Sequence, residues 1–541
     1  MALVFGVNQR LRTDWLLLAG FCGFLFFYGL AYFGLVGADE PRYAQVAREM
    51  LARHDWITPT LGGKPWLEKP PLYYWQAMFA YNAFGVSDWA ARLPSAVDAT
   101  LMVFAIYLFF RRFRPGSELD AALMTVAGAG IIGFARAASM DMALAASITI
   151  ALLAWYAWHE SGTRAYLWLM YAFLALGMLA KGPVAPFLAA VVVSMFAVAT
   201  GNYPILHRTL SFRGISMFCL IALPWYVAVQ LRNPDFLRAF ILQHNLERFS
   251  SNLYHHRQPF WFYVPVALLA LLPWTVFSVY AVAKTIGMWW SKRGEIMKSD
   301  DEFNVFLLIW LLVPVVFFSV SQSKLPGYIL PALPAGTVLL AEYVRRQVAS
   351  DERPGAVPLI LHSVFAGALV FPALLLGQIL VLHRIVWGTA VSIAFIIAIG
   401  LALGIAVTLR MPTGLRMLRF VSLIPVVLAV AAVLRLYAPV LDNTLSARPL
   451  ALELGKLGSK PLPLAVFHVR RETEYGLAFY NQAISRYESA QIPQEEHIVV
   501  APAGTQEELV NQLAGRRALY LGSFAPQHLD YYWVSAQTPV R

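Results

Sequence analysis

The sequence predicts a polytopic α-helical membrane protein with a small α/β domain at its C-terminal end. Three observations carry this. Apolar runs long enough to cross a bilayer recur along most of the chain, and 59% of its 541 residues are hydrophobic while only 13% are charged. Basic residues gather in short loops on one side of those runs, as they do when a membrane protein has a fixed orientation. The composition changes only after Arg435, where short apolar runs alternate with polar, helix-forming stretches.

Taken in order, the low-charge stretches give about thirteen spans. They lie at 15–33, 93–110, 121–134, 142–158, 166–180, 184–199, 214–229, 261–282, 303–320, 329–340, 357–382, 387–409 and 421–434. The first run has no small-residue cleavage motif at its end and reads as a retained span. With the N-terminus cytoplasmic, the inner loops hold Arg10 and Arg12, Arg111, Arg112 and Arg114, Arg208 and Arg213, Lys284 to Lys298, Arg345 and Arg346, and Arg410 to Arg419. An odd number of spans then puts the C-terminus outside. Residues 1–437 form the membrane domain, and its two long outer loops, 37–92 and 230–260, carry basic residues against the rule.

Residues 438–541 form the outer α/β domain. Strands are expected at 464–469, 498–500 and 518–521, a helix around 474–481, and a second helix opened by the capping box Thr505-Gln506-Glu507-Glu508 and closed by Gly515. No internal repeat is visible. Cys22 and Cys219 both sit in apolar runs, which excludes a disulfide framework and a Cys-type zinc site. The net charge of +11 matches basic loops and attraction to anionic lipid, so no nucleic-acid partner is expected.

The chemistry-bearing residues collect at the outer ends of spans. Asp39-Glu40-Pro41-Arg42-Tyr43 follows the first span, where ionisable groups at a membrane interface are functional by default. Either carboxylate suits orientation of an acceptor or base catalysis. In Glu68-Lys69-Pro70-Pro71 two prolines stiffen the backbone and position Lys69 as a point charge for phosphate. Arg136 and Asp141 share a short outer turn, and Lys181 and Lys324 occupy two others. A single lysine at a helix end also reads as snorkelling, but a set of outer cations against the positive-inside bias reads as a phosphate-binding ring. Arg248 and Arg257 in the second outer loop are further candidates for anion contact. His255-His256 with Glu68 is the one metal candidate, and it lacks the i, i+4 spacing of a helical zinc pair. There is no Gly-x-x-x-x-Gly-Lys-Ser/Thr loop, and no Asp-x-Asp pair on an outer loop. Asp300-Asp301-Glu302 is cytoplasmic and reads as solvated. Chemistry on the outer face therefore calls for a lipid-linked donor.

Together these motifs resemble the polyprenyl-phosphate-dependent GT-C glycosyltransferases, specifically the lipid A aminoarabinose transferases and their protein O-mannosyltransferase relatives. The resemblance rests on Asp39-Glu40-Pro41-Arg42-Tyr43, Glu68-Lys69-Pro70, Arg136 with Asp141, Lys181-Gly182-Pro183 and Ser323-Lys324-Leu325-Pro326-Gly327-Tyr328, and spans most of the first 340 residues. It implies transfer of 4-amino-4-deoxy-L-arabinose from undecaprenyl phosphate to lipid A phosphate at the periplasmic face of a bacterial inner membrane, with resistance to polymyxin and cationic peptides. The implied catalytic carboxylates are Asp39, Glu40 and Asp141, with no choice made among them. The implied substrate-binding residues are Arg42, Tyr43, Glu68, Lys69, Arg136, Lys181, Arg248, Arg257, Lys324 and Tyr328. A monomer, an inverting displacement and no required cofactor or metal complete the expectation. The alternatives are a transferase acting on a protein hydroxyl or another glycan, and a lipid flippase, whose charges would lie nearer the bilayer midplane.

Overall fold

In a hydrocarbon environment each backbone N–H and C=O must find its partner within the segment, so the apolar runs become helices. The structure is a computed structural model that describes residues 2–240, 258–292, 297–350, 354–457, 462–481, 484–487, 492–513 and 515–537. Among the described residues eight helices are long and apolar enough to span a membrane, or ten if each of two bent pairs counts as one. The other expected spans are helices too, but shorter or less apolar: Arg164–Lys181, Val184–Thr200, and Ala2–Cys22 running into a π turn at Gly23–Phe27.

Two expected spans are not straight. The 121–134 run breaks into Glu118–Val126 and Ala129–Ala135, bent by 64°. The 261–282 run folds back by 118° between Phe260–Ala270 and Thr275–Ser291. The reversal falls at Pro273, which has no N–H for the helix ladder.

Charged residues sort to opposite ends of the bundle. Helix Asp141–Ser161 carries Asp141 at one end and Glu160 near the other, about 30 Å apart at ~1.5 Å per residue. At the Glu160 end Arg114 bonds Glu160 at 2.8 Å, Arg345 bonds Asp300 at 2.6 Å and Glu342 at 2.8 Å, and Asp301 takes Lys292 at 2.6 Å and Arg346 at 2.7 Å. The expectation that Asp300-Asp301-Glu302 is solvated is therefore corrected. Several helices end there, Asp301 is buried, and a buried carboxylate requires partners.

The C-terminal segment holds a five-stranded sheet in the order Ile484–Arg486, Leu464–Val466, His497–Pro502, Leu529–Val534, Ala518–Phe524. The first three strands are parallel and the last two pairings antiparallel. Alternation sorts the core onto two faces: Leu464, Val466, Ile498 and Val500 pack with Leu450 and Leu477, while Ala465, Val499 and Ala501 pack with Leu509 and Leu513. The helix expected after Thr505 runs Gln506–Gln512, but the Thr505 hydroxyl does not cap it and donates instead to the Pro502 carbonyl at 2.7 Å.

This segment is seated on the connection between the first two spans. Arg448 bonds Asp88 at 2.9 Å and Asp442 at 2.6 Å, and Tyr480 Oη accepts from Leu35 N at 2.9 Å. Arg48 reaches the Phe479 carbonyl. A Cβ at position 34 would lie 2.3 Å from Ser446 Oγ and 2.5 Å from Tyr480 Oη, so only glycine allows this approach.

Candidate active site

The residues after the first span form a helix, Asp39–Ala52, and Asp39 and Glu40 occupy its first turn, where the helix dipole favours acids. Successive side chains on a helix diverge by about 100°, so the two carboxylates part. Asp39 is 54% exposed and Glu40 only 8%.

Glu40 is fully engaged. Its Oε1 accepts from Arg92 Nε at 3.1 Å and Ala138 N at 2.7 Å, and its Oε2 from Arg92 Nη2 at 2.7 Å and Val36 N at 2.8 Å. Arg92 places its remaining donors on the carbonyls of Leu30, Phe33 and Gly34 at 2.6 to 2.9 Å. This buried pair ties the end of the first span to helix Asp88–Phe113 and to the turn that leads into Asp141.

On the other side of the helix, Arg42 Nη2 donates to Asp39 Oδ1 and, at 3.2 Å, to Tyr43 Oη. The guanidinium stacks over the rings of Tyr43 at 5.0 Å, Trp66 at 5.2 Å and Tyr475 at 5.7 Å. Burial opposes its charge, but Tyr43, Asp39 and Glu68 outweigh that and raise its pKa, so it is always protonated. Burial, then the charges of Asp39 and Asp141, push the Tyr43 hydroxyl well above its ordinary range, against the opposing pull of Arg42. Tyr43 is thus neutral, its oxygen accepting from Arg42 while its hydroxyl proton stays in place.

Glu68 and Lys69 are delivered by a hairpin. Thr60–Leu61 pairs antiparallel with Lys64–Pro65 through Gly62 and Gly63, both at positive φ, as a two-residue turn of this hand requires. Glu49 of helix Asp39–Ala52 fixes the turn by accepting from Gly62 N at 2.8 Å and Gly63 N at 3.1 Å. The chain then leads through Trp66, so that Glu68 acts electrostatically on Arg42 and Lys69 on Asp141.

Asp141 opens its own helix. Its Oδ2 accepts from Ser139 Oγ at 2.8 Å, and its Oδ1 takes the Lys181 ammonium. Lys181 Nζ stands 4.8 Å from the centre of the Tyr328 ring. A side chain at 327 would meet Asp141 Cγ at 3.1 Å and the Phe134 ring at 2.8 Å, so the backbone of the 325–328 turn lies against the carboxylate. Lys324 is buried and donates to the Ser321 carbonyl of its own turn.

Asp39, Arg42, Tyr43, Glu68, Lys69, Asp141, Lys181 and Tyr328, drawn from separate segments, thus converge. Glu40 stands behind them as a clamp. Arg136 faces elsewhere: it donates to the Leu25 carbonyl at 3.1 Å and borders a largely apolar cavity with Phe33, Ile132 and Leu434. Burial and the neighbouring Arg92 bring its pKa down to about 10, which leaves it charged at neutral pH. Arg248, Arg257, His255 and His256 lie outside the described residues. Sequence reasoning missed Arg92, Ser139 and Trp66, and Tyr475 at the far end of the chain. Arg92 carried a usable signal, being one more cation on the outer side against the positive-inside bias.

The arrangement holds three carboxylates, of which Asp39 is bonded to Arg42 and Asp141 to Lys181, while Glu68 acts on Arg42 and Lys69 on Asp141. It suits binding and orienting phosphate esters.

A family model described as dolichyl-phosphate-mannose-protein mannosyltransferase matches residues 15–240. In Pseudomonas aeruginosa strain UCBPP-PA14, a protein named undecaprenyl phosphate-alpha-4-amino-4-deoxy-L-arabinose arabinosyl transferase is 33% identical over 335 residues, 60% of this chain. That alignment spans only 58% of the relative's length. A protein of the same name, numbered 1, in Pseudomonas fluorescens strain Pf0-1 is 30% identical over 410 residues, covering 72% of this chain and 69% of the relative. The crystal structure of ArnT from Cupriavidus metallidurans bound to undecaprenyl phosphate superposes with a TM-score of 0.75 at 20% identity, over 96% of this chain and 97% of that one, and its apo form gives 0.73. The two chains share a fold. With identity and coverage of this extent to the Pseudomonas fluorescens protein, the chain belongs to the undecaprenyl phosphate-alpha-4-amino-4-deoxy-L-arabinose arabinosyl transferase family.

Proposed function

We propose that the chain transfers 4-amino-4-deoxy-L-arabinose from undecaprenyl phosphate to a phosphate of lipid A, at the outer face of a bacterial inner membrane. The observation that carries this reading is the convergence of Asp39–Arg42 and Asp141–Lys181, whose two carboxylates both act on the Tyr43 hydroxyl, with Lys69 acting on the second pair. An oxygen of the acceptor phosphate attacks the anomeric carbon, the bond from that carbon to the donor phosphate breaks, and undecaprenyl phosphate leaves as the monoester anion. A single displacement of this kind inverts the anomeric centre. The acceptor oxygen is already anionic, so it needs orientation and charge compensation more than proton removal. Asp39, exposed and steered by Arg42, serves orientation, and Tyr43 donates a hydrogen bond without adding charge. Lys69 and Lys181 compensate the departing phosphate, and Asp141 holds Lys181 in place. Glu40 acts through the fold and does not touch substrate. Lys324, Arg248 and Arg257 supply further positive potential to two anionic lipids, and Arg136, turned to the Leu25 carbonyl, does so only from a distance. No added cofactor or metal enters the scheme, and a monomer is part of the proposal.

The test is purified chain in lipid nanodiscs with the undecaprenyl-phosphate-linked sugar and lipid A, read by mass spectrometry of the lipid A. Lys69→Ala is expected to lower turnover about tenfold to a hundredfold, since a charge-assisted contact is worth ~1.5–3 kcal/mol. Unchanged kinetics across donor concentrations would return Lys69 to a surface turn. The matching family model favours one second reading, a protein hydroxyl as acceptor. That acceptor must lose a proton and needs a true base, and a peptide acceptor included in the same assay separates the two.

The topology that goes with this reading has about thirteen crossings, with 1–437 as the membrane domain and 438–541 outside. It is supported by parity, because Asp141 meets Lys181 at one end of the bundle while Arg114, Glu160, Asp300 and Arg345 meet at the other. Reporter fusions after residues 235 and 445 are expected to report periplasm, and fusions after 115 and 295 cytoplasm. A cytoplasmic C-terminus would overturn both the count and the side on which the chemistry occurs.

A further inference from the structure

The Arg42 guanidinium uses Nη2 for Asp39 and Tyr43, while its Nε is buried and has no acceptor among the described residues. Hydrogen bonds therefore fix only one edge of the group, and its plane is set by the three rings around it. Tyr43 and Trp66 belong to the first outer loop. The third ring, Tyr475, comes from helix Arg471–Asn481 of the C-terminal segment.

That ring is itself held. Tyr475 is buried, and its hydroxyl interacts with Arg486, which also pairs with Glu474. One turn further along the helix, the Phe479 carbonyl accepts from Arg48, and Tyr480 Oη bonds Asp88 at 2.5 Å as well as Leu35 N. The helix is thus pinned to Asp39–Ala52 and to the start of Asp88–Phe113, on the side where Arg42 projects.

We infer that Tyr475 is a positioning residue of the site: its ring completes the aromatic surround of Arg42, and through Arg42 it holds Asp39 in the orientation that the acceptor needs. The C-terminal segment is then a working part of the active site. This rests on the reading of Asp39 given above. Removing the ring opens one face of Arg42 to water, lets the guanidinium turn, and frees the Asp39 carboxylate. The donor lipid, held by Lys69 and Lys181, is not affected.

The experiment uses the full chain in nanodiscs as wild type, Tyr475→Ala and Tyr475→Phe. It measures kcat for transfer to lipid A, Kd for undecaprenyl phosphate alone, and hydrogen–deuterium exchange of residues 39–45. Tyr475→Ala is expected to lower kcat about tenfold, the scale of one desolvated cation–π contact, and to speed exchange in 39–45 with little change in Kd. Tyr475→Phe keeps the ring and is expected to retain most of the rate. Tyr475→Ala as active as wild type overturns the inference alone. So does Tyr475→Phe falling as far as Ala, which would move the effect to the hydroxyl and Arg486, and so does exchange rising throughout the C-terminal segment, which would mean undocking. A wild-type chain that binds undecaprenyl phosphate but modifies no lipid A defeats the reading of the site itself.

Discussion

Asp39→Asn is expected to cut transfer by about a hundredfold or more while leaving the protein as stable as wild type. The amide keeps the size of the carboxylate but removes the charge that orients the acceptor and anchors Arg42. Stability should follow only weakly, because the Asp39 side chain is half exposed and the amide oxygen of Asn can still accept from the more buried Arg42. Turnover and thermal unfolding are to be measured on the same preparation. A well-folded Asn variant with near-normal turnover would remove Asp39 from the reaction centre.

The adjacent residue should behave in the opposite way. Glu40→Ala strands the buried Arg92 guanidinium and removes the acceptor of Val36 N and Ala138 N. Breaking one side of a buried ion pair costs about 3–5 kcal/mol, so a large drop in melting temperature and in membrane yield is expected. Glu40→Gln, which keeps an acceptor oxygen, should lose less. Activity lost in Glu40→Gln without any fall in stability would show that Glu40 touches substrate and is more than a clamp.

The contrast between neighbours marks where sequence reasoning stops. The motif Asp39-Glu40 was legible as a pair, but assigning different tasks to its members requires knowing that 39–52 is a helix. Read as loop, the segment gives no reason for the two side chains to diverge. The spans were legible because hydrocarbon imposes one solution on an apolar run. The reversal at Pro273 was not, since hydropathy is blind to direction. Asp300-Asp301-Glu302 was misread because a charge run is solvated by default and only tertiary packing brings Arg345, Arg346 and Lys292 to it. In the C-terminal segment strand Leu529–Val534 went unrecognised, although Tyr531-Tyr532-Trp533-Val534 carries strong β preference. Ile484–Arg486 is too short to announce itself. Convergence of Lys69, Asp141 and Lys181 was anticipated only as a requirement of the chemistry. It is produced by the Gly62-Gly63 hairpin and by the close approach of Gly327, neither of which a motif encodes.

The docking of helix Arg471–Asn481 on the connection between the first two spans has a consequence for biogenesis. Leu35 and Tyr480, bonded in the finished protein, are 445 positions apart. At about 5–20 residues per second the ribosome needs from roughly twenty seconds to a minute and a half to make the intervening chain. On the topology proposed above, helix Asp39–Ala52 has by then crossed the membrane with Arg48 and Arg42 lacking their late partners. On that reading, a chain stopped before residue 475 can complete its spans and still leave the guanidinium open on one side, so the full rate awaits the segment that carries Tyr475.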